Sequence, residues 1–465
     1  MATFFRDALL VQLDPPRVEA GSLRVADGRI VTIGHNAAVE PGDEIVDCAG
    51  VVLMPGLVNG HTHLYSALAP GMPPPPRPPR TFHEILQFIW WRLDRAHTLE
   101  SVETSGQIGA LAALRCGTTT LIDHHASPNA IDGSLTALEN GIAAVGCRGV
   151  LCYEVTDRNR RDEAVQGLAE NERYIELCQQ RRDGRFAAIV GAHASFTLEE
   201  ASLAGCVDLA RRLGVGVHIH AAEDPIDERI TRERFGCGLI DRFRRVGLLG
   251  IPGTILAHGT HFSDEDFAAL SNAGWRRASG EPPDSQQTGG SLSRDPSHPT
   301  MYLAHNPSSN MNNGVGYTPV AKLTHPPLLG TDGIGADMWR EARVAEFKSH
   351  DAHIPLRFGA SLDMLAQSAR FASTCLGTKL GVLEPGAAAD LVLTNYRPAT
   401  PLTAETLASH FLFAMGPEFV RDVMVDGWWL MRKGHVVTCD EPALRARSVE
   451  VARALHERMA AIPFE

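Results

Sequence analysis

Pro55-Gly56-Leu57-Val58-Asn59-Gly60-His61-Thr62-His63-Leu64 is the stretch on which the fold turns. An apolar run follows a Pro-Gly turn and ends on two histidines one residue apart. Residues two apart on a strand point to the same side, so His61 and His63 aim at one place. Alone, H-x-H is weak evidence, because two partly buried histidines give the same pattern. Its weight comes from the rest of the chain.

Downstream, short apolar runs alternate with amphipathic stretches, as in repeated βα units. Candidate strands end near His61, His124, Tyr153, His193, His220, His258, His305 and Asp332. Between them lie helical periods such as Leu135, Leu138 and Ile142, or Leu203, Val207 and Ala210. Gly117 fits a helix C-terminus, and Ser263 with Asp266 resembles a capping box. Eight parallel strands close an α/β fold of the (β/α)8 TIM barrel type, whose catalytic residues gather where the strands end. Six of the eight expected ends fall on histidine and another on aspartate.

The flanks read differently. Residues 21–33 alternate apolar and polar around Asp27-Gly28, and residues 422–430 do so around Asp426-Gly427, both hairpin signals. Residues 1–55 and 381–440 are therefore expected to form one small β-sandwich domain from both chain ends. The barrel is inserted as 56–380, with a helix at 441–465. Two segments break the rhythm. Residues 73–79, nearly all proline, read as a stiff loop, and residues 276–300, rich in Ser, Gly, Pro, Asp and Gln, as a disordered insertion.

Composition bounds the partners. A net charge of −12 argues against binding nucleic acid, and gives no pull toward anionic membranes. The first residues are apolar only in pieces broken by Arg6 and Asp7, unlike a signal peptide. Nine cysteines without a C-x-x-C spacing suit reduced thiols and a cytoplasmic location.

Two further motifs join His61 and His63. In Val217-His218-Ile219-His220-Ala221-Ala222-Glu223, His220 is a third candidate metal ligand. His218 sits one layer deeper and reads as a hydrogen-bonded barrel histidine, with an exchange of roles between the two left open. Glu223 lies where strand yields to loop, suited to general acid/base work beside a metal. In Leu328-Leu329-Gly330-Thr331-Asp332-Gly333, Asp332 reads equally as a ligand or as a turn-forming Asp-Gly. Trp90 and Trp91, on an expected helix, read as core or interface.

H-x-H after the first strand, H-x-x-E after the fifth, a histidine after the sixth and T-D-G after the eighth resemble the amidohydrolase superfamily. The subgroup resembled is that of cytosine deaminase, chlorohydrolase and guanine deaminase relatives. The similarity spans nearly the whole chain, including residues 381–393. Asp123-His124-His125-Ala126-Ser127-Pro128, residues 193–198 and residues 305–313 resemble aminohydrolases of the SsnA type, from which the 276–300 insertion departs. The resemblance implies that His61, His63, His220 and Asp332 bind the metal, with Asp332 also in the proton relay. Glu223 matches the proton shuttle and His258 the residue that orients water or polarises substrate. His193 stands where two-metal members carry a lysine; residues 186–196 hold none, which favours one divalent ion, zinc first, with iron or manganese as alternatives. His193, His124 and His125 are the expected substrate contacts. The expected reaction is hydrolysis of a C–N bond, first a deamination of a purine- or pyrimidine-like heterocycle. A cyclic-amide ring opening is the alternative and a non-catalytic scaffold the remote one. A homodimer is the assembly the resemblance suggests.

Overall fold

A computed structural model describes residues 2–273 and 300–464. The insertion expected at 276–300 lies, except for Thr300, outside the described residues.

Eight parallel strands form the frame: β1 (Leu57–Thr62), β2 (Thr118–His125), β3 (Arg148–Val155), β4 (Val190–Ala194), β5 (Val217–Ala221), β6 (Thr254–His258), β7 (Met301–His305) and β8 (Leu328–Leu329). They pair in chain order, and a bridge between Thr62 and Asp332 brings the end of β8 back to β1. Every residue in them is buried. That is why the strands read as continuous apolar runs rather than alternating ones, since helices cover the outer face. Gly117 follows the helix Leu99–Arg115 with φ +75°, and Ser263 and Asp266 exchange backbone-to-side-chain hydrogen bonds of 2.9 and 3.1 Å as a capping box. Residues 73–79 hold neither helix nor strand.

A second sheet draws strands from both chain ends. Val52–Pro55 pairs with Thr3–Gln12 on one side and with Leu391–Thr394 on the other. Both Asp-Gly pairs make two-residue hairpin turns, joining Ala26 to Arg29 and Val425 to Trp428. Asp27, Gly28, Asp426 and Gly427 all have φ between +51° and +78°, as such turns require. The two turns pack on each other. A Cβ on Gly28 would lie 2.9 Å from the Asp426 carbonyl oxygen, so the contact admits glycine alone. The helix Glu441–Ala461 follows, packing on Leu99–Arg115 and Trp91–Ala96.

Arg148, at the start of β3, ties the sheet to the barrel. Its guanidinium is buried and donates to both Asp390 carboxylate oxygens at 2.8 and 2.9 Å and to Asp426 at 3.1 Å. Arg148→Met keeps most of the volume but strands the Asp390 charge, and is expected to cost about 3 kcal/mol of stability. Urea unfolding with an unchanged slope checks it; a midpoint equal to wild type would refute it.

Candidate metal and catalytic site

Four side chains converge at the C-terminal mouth of the barrel. Asp332 Oδ1 lies 3.0 Å from His63 Nε2 and 3.3 Å from His61 Nε2, and His63 Nε2 lies 3.1 Å from His220 Nε2. Hydrogen bonds decide which ring nitrogen faces inward. His63 Nδ1–H donates to the His124 carbonyl at 2.5 Å and His220 Nδ1–H to the His193 carbonyl at 2.9 Å. A carbonyl only accepts, so both rings turn Nε2 inward, and a metal ion would take the place of any proton held there by His63. His61 Nδ1 meets His218 Nε2 at 2.9 Å, which leaves His61 Nε2 for the centre. Three imidazole lone pairs and a carboxylate make the donor set of a divalent cation, and the residues fit one. His258 stands close enough to join them: ligand atoms of His61, His220, His258 and Asp332 lie within 4.8 Å of one another, a group that does not include His63.

Electrostatics agree with that reading. Burial opposes charge on Asp332, yet its bonds to His61 and His63 hold the carboxyl well below the usual range. Burial likewise pulls His63 down, but the Asp332 carboxylate lifts it to about 9. Any cation placed there feels the same attraction. The Ser309 hydroxyl donates to the other Asp332 oxygen.

Glu223 stands beside this cluster. Its Oε1 accepts from Asn313 Nδ2 at 3.4 Å, and its Oε2 lies 3.5 Å from His258 Nε2. Burial, reinforced by the Asp332 charge, raises the Glu223 carboxyl well above its ordinary value. His258 Nδ1–H donates to Asn310 Oδ1 at 2.8 Å, while Asn310 Nδ2 donates to Thr318 Oγ1 at 3.1 Å and so fixes that amide. His258 therefore presents an accepting Nε2. Ala222, His258 and Asp332 have φ of +51°, +76° and +54°, so backbone strain gathers where the strands end.

A cleft of about 710 Å³, mouth included, opens above these groups. One wall is apolar: Phe82, Leu86, Trp90, Trp91, Phe196 and Ile226. The other carries His193, Glu154 and Arg158. Glu154, His193 and His220 also lie close enough to suggest a second ion, but Arg158 Nη1 sits 2.9 Å from Glu154 and already supplies the cation.

Residues 52–430 match the amidohydrolase family. The chain belongs to that family. It is 26% identical over 98% of its length to a 5'-deoxyadenosine deaminase of Methanosarcina mazei, covering 98% of that protein. It is 29% identical over 94% of its length to a 5-methylthioadenosine/S-adenosylhomocysteine deaminase of Desulforudis audaxviator, covering 95% of it. In fold it matches an adenosine deaminase from Xanthomonas campestris with bound zinc, with a TM-score of 0.76 at 22% identity over 99% of both chains. This amidohydrolase is a metal-dependent hydrolase of carbon–nitrogen bonds.

The structure brings His61, His63, His220, Asp332, Glu223 and His258 together, and places His193 on the cleft wall. His218 lies deeper, against His61. Two expected substrate contacts are corrected. His124 and His125 are not among the residues lining the cleft. Neighbours on a strand face opposite ways: the His124 ring points into the barrel and bonds the Ala192 and His218 carbonyls, while His125 turns to Ser127. Trp90 and Trp91 pack against a buried apolar cluster, as expected, and also line the cleft. Their helix is widened into a π-turn over Leu86–Trp90, a feature frequent at functional sites. Glu154, Arg158, Ser309 and Asn313 were not foreseen individually. For Glu154 the signal was a lone carboxylate in the apolar run of β3.

Proposed function

We propose that this amidohydrolase is an aminohydrolase that deaminates a purine- or pyrimidine-like ring, using one zinc ion held by His61, His63, His220 and Asp332. The observation that carries the reading is Glu223: a carboxyl raised by burial, beside His258 and next to the ligand cluster. A carboxyl whose affinity for protons burial has raised can both take and return one. A divalent ion in this donor set supplies Lewis acidity, making water acidic enough to react near neutral pH. His258 Nε2 accepts a hydrogen bond from the attacking water and orients it. Glu223 takes the first proton as the C–O bond forms, and delivers it to the ring nitrogen beside the attacked carbon. Asp332, ionised at rest, takes the second and passes it to the amino group, which leaves as ammonia. The sum is one water consumed, one C–NH2 converted to C=O and one ammonia released. The aromatic wall offers flat faces for a heterocycle. The named activities of the two relatives, both on adenosine-type compounds, support the substrate class.

Nine unpaired cysteines support a cytoplasmic setting, and no helix among the described residues is long and apolar enough to cross a membrane. Incubating zinc-loaded protein with adenine, adenosine, 5'-deoxyadenosine, guanine and cytosine, with ammonia and product mass followed together, tests the function. Loss of an amine nitrogen for oxygen with matching ammonia is the expected result. A simple gain of water would replace deamination with ring opening.

A further inference from the structure

On the cleft wall that carries His193, Glu154 and Arg158, the first two can both present acceptors. Thr197 Oγ1 donates its single hydrogen to the Ala194 carbonyl at 3.1 Å. With that hydrogen directed to the carbonyl, Oγ1 accepts from His193 Nδ1–H at 2.6 Å, the assignment in which His193 carries its proton on Nδ1. The cleft-facing His193 Nε2 is then a bare lone pair. Glu154 Oε1 lies 3.8 Å from it. That carboxylate has about four acceptor positions. One is engaged, by Arg158 Nη1 at 2.9 Å, while His124 Nδ1 lies 3.3 Å from the other oxygen without a hydrogen bond. Glu154 and His193 thus offer two neighbouring acceptors on one cleft wall.

Holding Glu154 is elaborate. Arg158 is 6% exposed and bridges it to Asp94, a second buried carboxylate. Trp91 packs under the guanidinium, whose carbon lies 5.2 Å from the ring centre. A guanidinium held between Glu154 and Asp94, whose carboxyl burial raises to about 7, is not left to bind an anion. Burial opposes the Glu154 charge; His193, where protonated, and then Arg158 offset it, and the Arg158 bond at 2.9 Å also aims the carboxylate.

We propose that Glu154 with His193 is a specificity device that requires a hydrogen-bond donor, N–H or O–H, on the part of the substrate that meets this wall. The inference rests on the aminohydrolase reading for the word substrate, but the acceptor pair is read from this chain's own geometry. Two sources supply such a donor: the ring N–H of a free base, or the hydroxyls of a nucleoside sugar. Anionic groups facing Glu154 are excluded by its charge.

Binding separates this proposal from the reaction. Zinc-loaded Glu223→Gln protein is titrated calorimetrically with adenine against 9-methyladenine, and with 5'-deoxyadenosine against 2',3',5'-trideoxyadenosine. Within at least one pair the donor-bearing compound is expected to bind at least tenfold more tightly. Adding Glu154→Gln, which keeps an oxygen for Arg158 but removes the charge, is expected to cut that gap severalfold while the weaker analogue's affinity holds. A thermal melt confirms the double variant is folded, and Thr197→Val, which unlocks the His193 tautomer, gives a second route to the same narrowing. Equal affinities within both pairs, no binding of any of the four, or a gap untouched by both substitutions would overturn it. Absence of ammonia release by the wild type would instead count against the deaminase reading and leaves these affinities to decide.

Discussion

Glu223→Gln is expected to lower kcat by about 10³-fold while zinc content, fold and substrate affinity remain near wild type. The amide has the shape of the carboxyl and can keep the 3.4 Å bond from Asn313. It cannot accept a proton from water or return one to the ring. Water and leaving group would then depend on Asp332, whose bonds to His61 and His63 hold it ionised and make it a weak base. Steady-state kinetics beside elemental analysis separate the effects. A variant that keeps zinc and turns over at the wild-type rate shows that another group moves the protons.

The larger effect is expected from His63→Ala, which should abolish both zinc retention and turnover. Its Nε2 lies nearest to Asp332 and His220, and its ring is locked by the bond from Nδ1 to the His124 carbonyl. Alanine removes a ligand and leaves two histidines and a carboxylate, too few for a tightly held four-donor site. Metal content after dialysis and activity at saturating added zinc are the two readouts. Full zinc occupancy in the variant would remove His63 from the ligand set.

The convergence of His61, His63, His220 and Asp332 was legible because strand periodicity is local. His61 and His63 share a face by the two-residue repeat, and His220 and Asp332 recur at strand ends, so a linear pattern encodes a spatial one. The second sheet was legible for the same reason, through two Asp-Gly turns that have only one good backbone solution. The substrate wall was not. Glu154 sits one residue beyond the expected end of its strand, and only the pairing of β3 with β4 brings it to His193. Trp90 and Trp91 reach the cleft together through a π-turn, which no amphipathic period announces. Ser309 and Asn313 lie four apart on the short helix Pro307–Asn313, so they share a face, but its direction depends on where β7 delivers the chain.

The seam between Val52–Pro55 and Leu391–Thr394 has a consequence for how the chain is born. The first strands of the second sheet leave the ribosome early, but their hydrogen-bonding neighbour follows roughly 340 residues later, a delay of roughly 17–70 s at ordinary rates of synthesis. Throughout that interval Val52–Pro55 offers a bare edge of four apolar or proline residues to any other nascent chain. Every barrel strand is made while that edge waits. Slower translation therefore lengthens the time for which that edge has no partner strand.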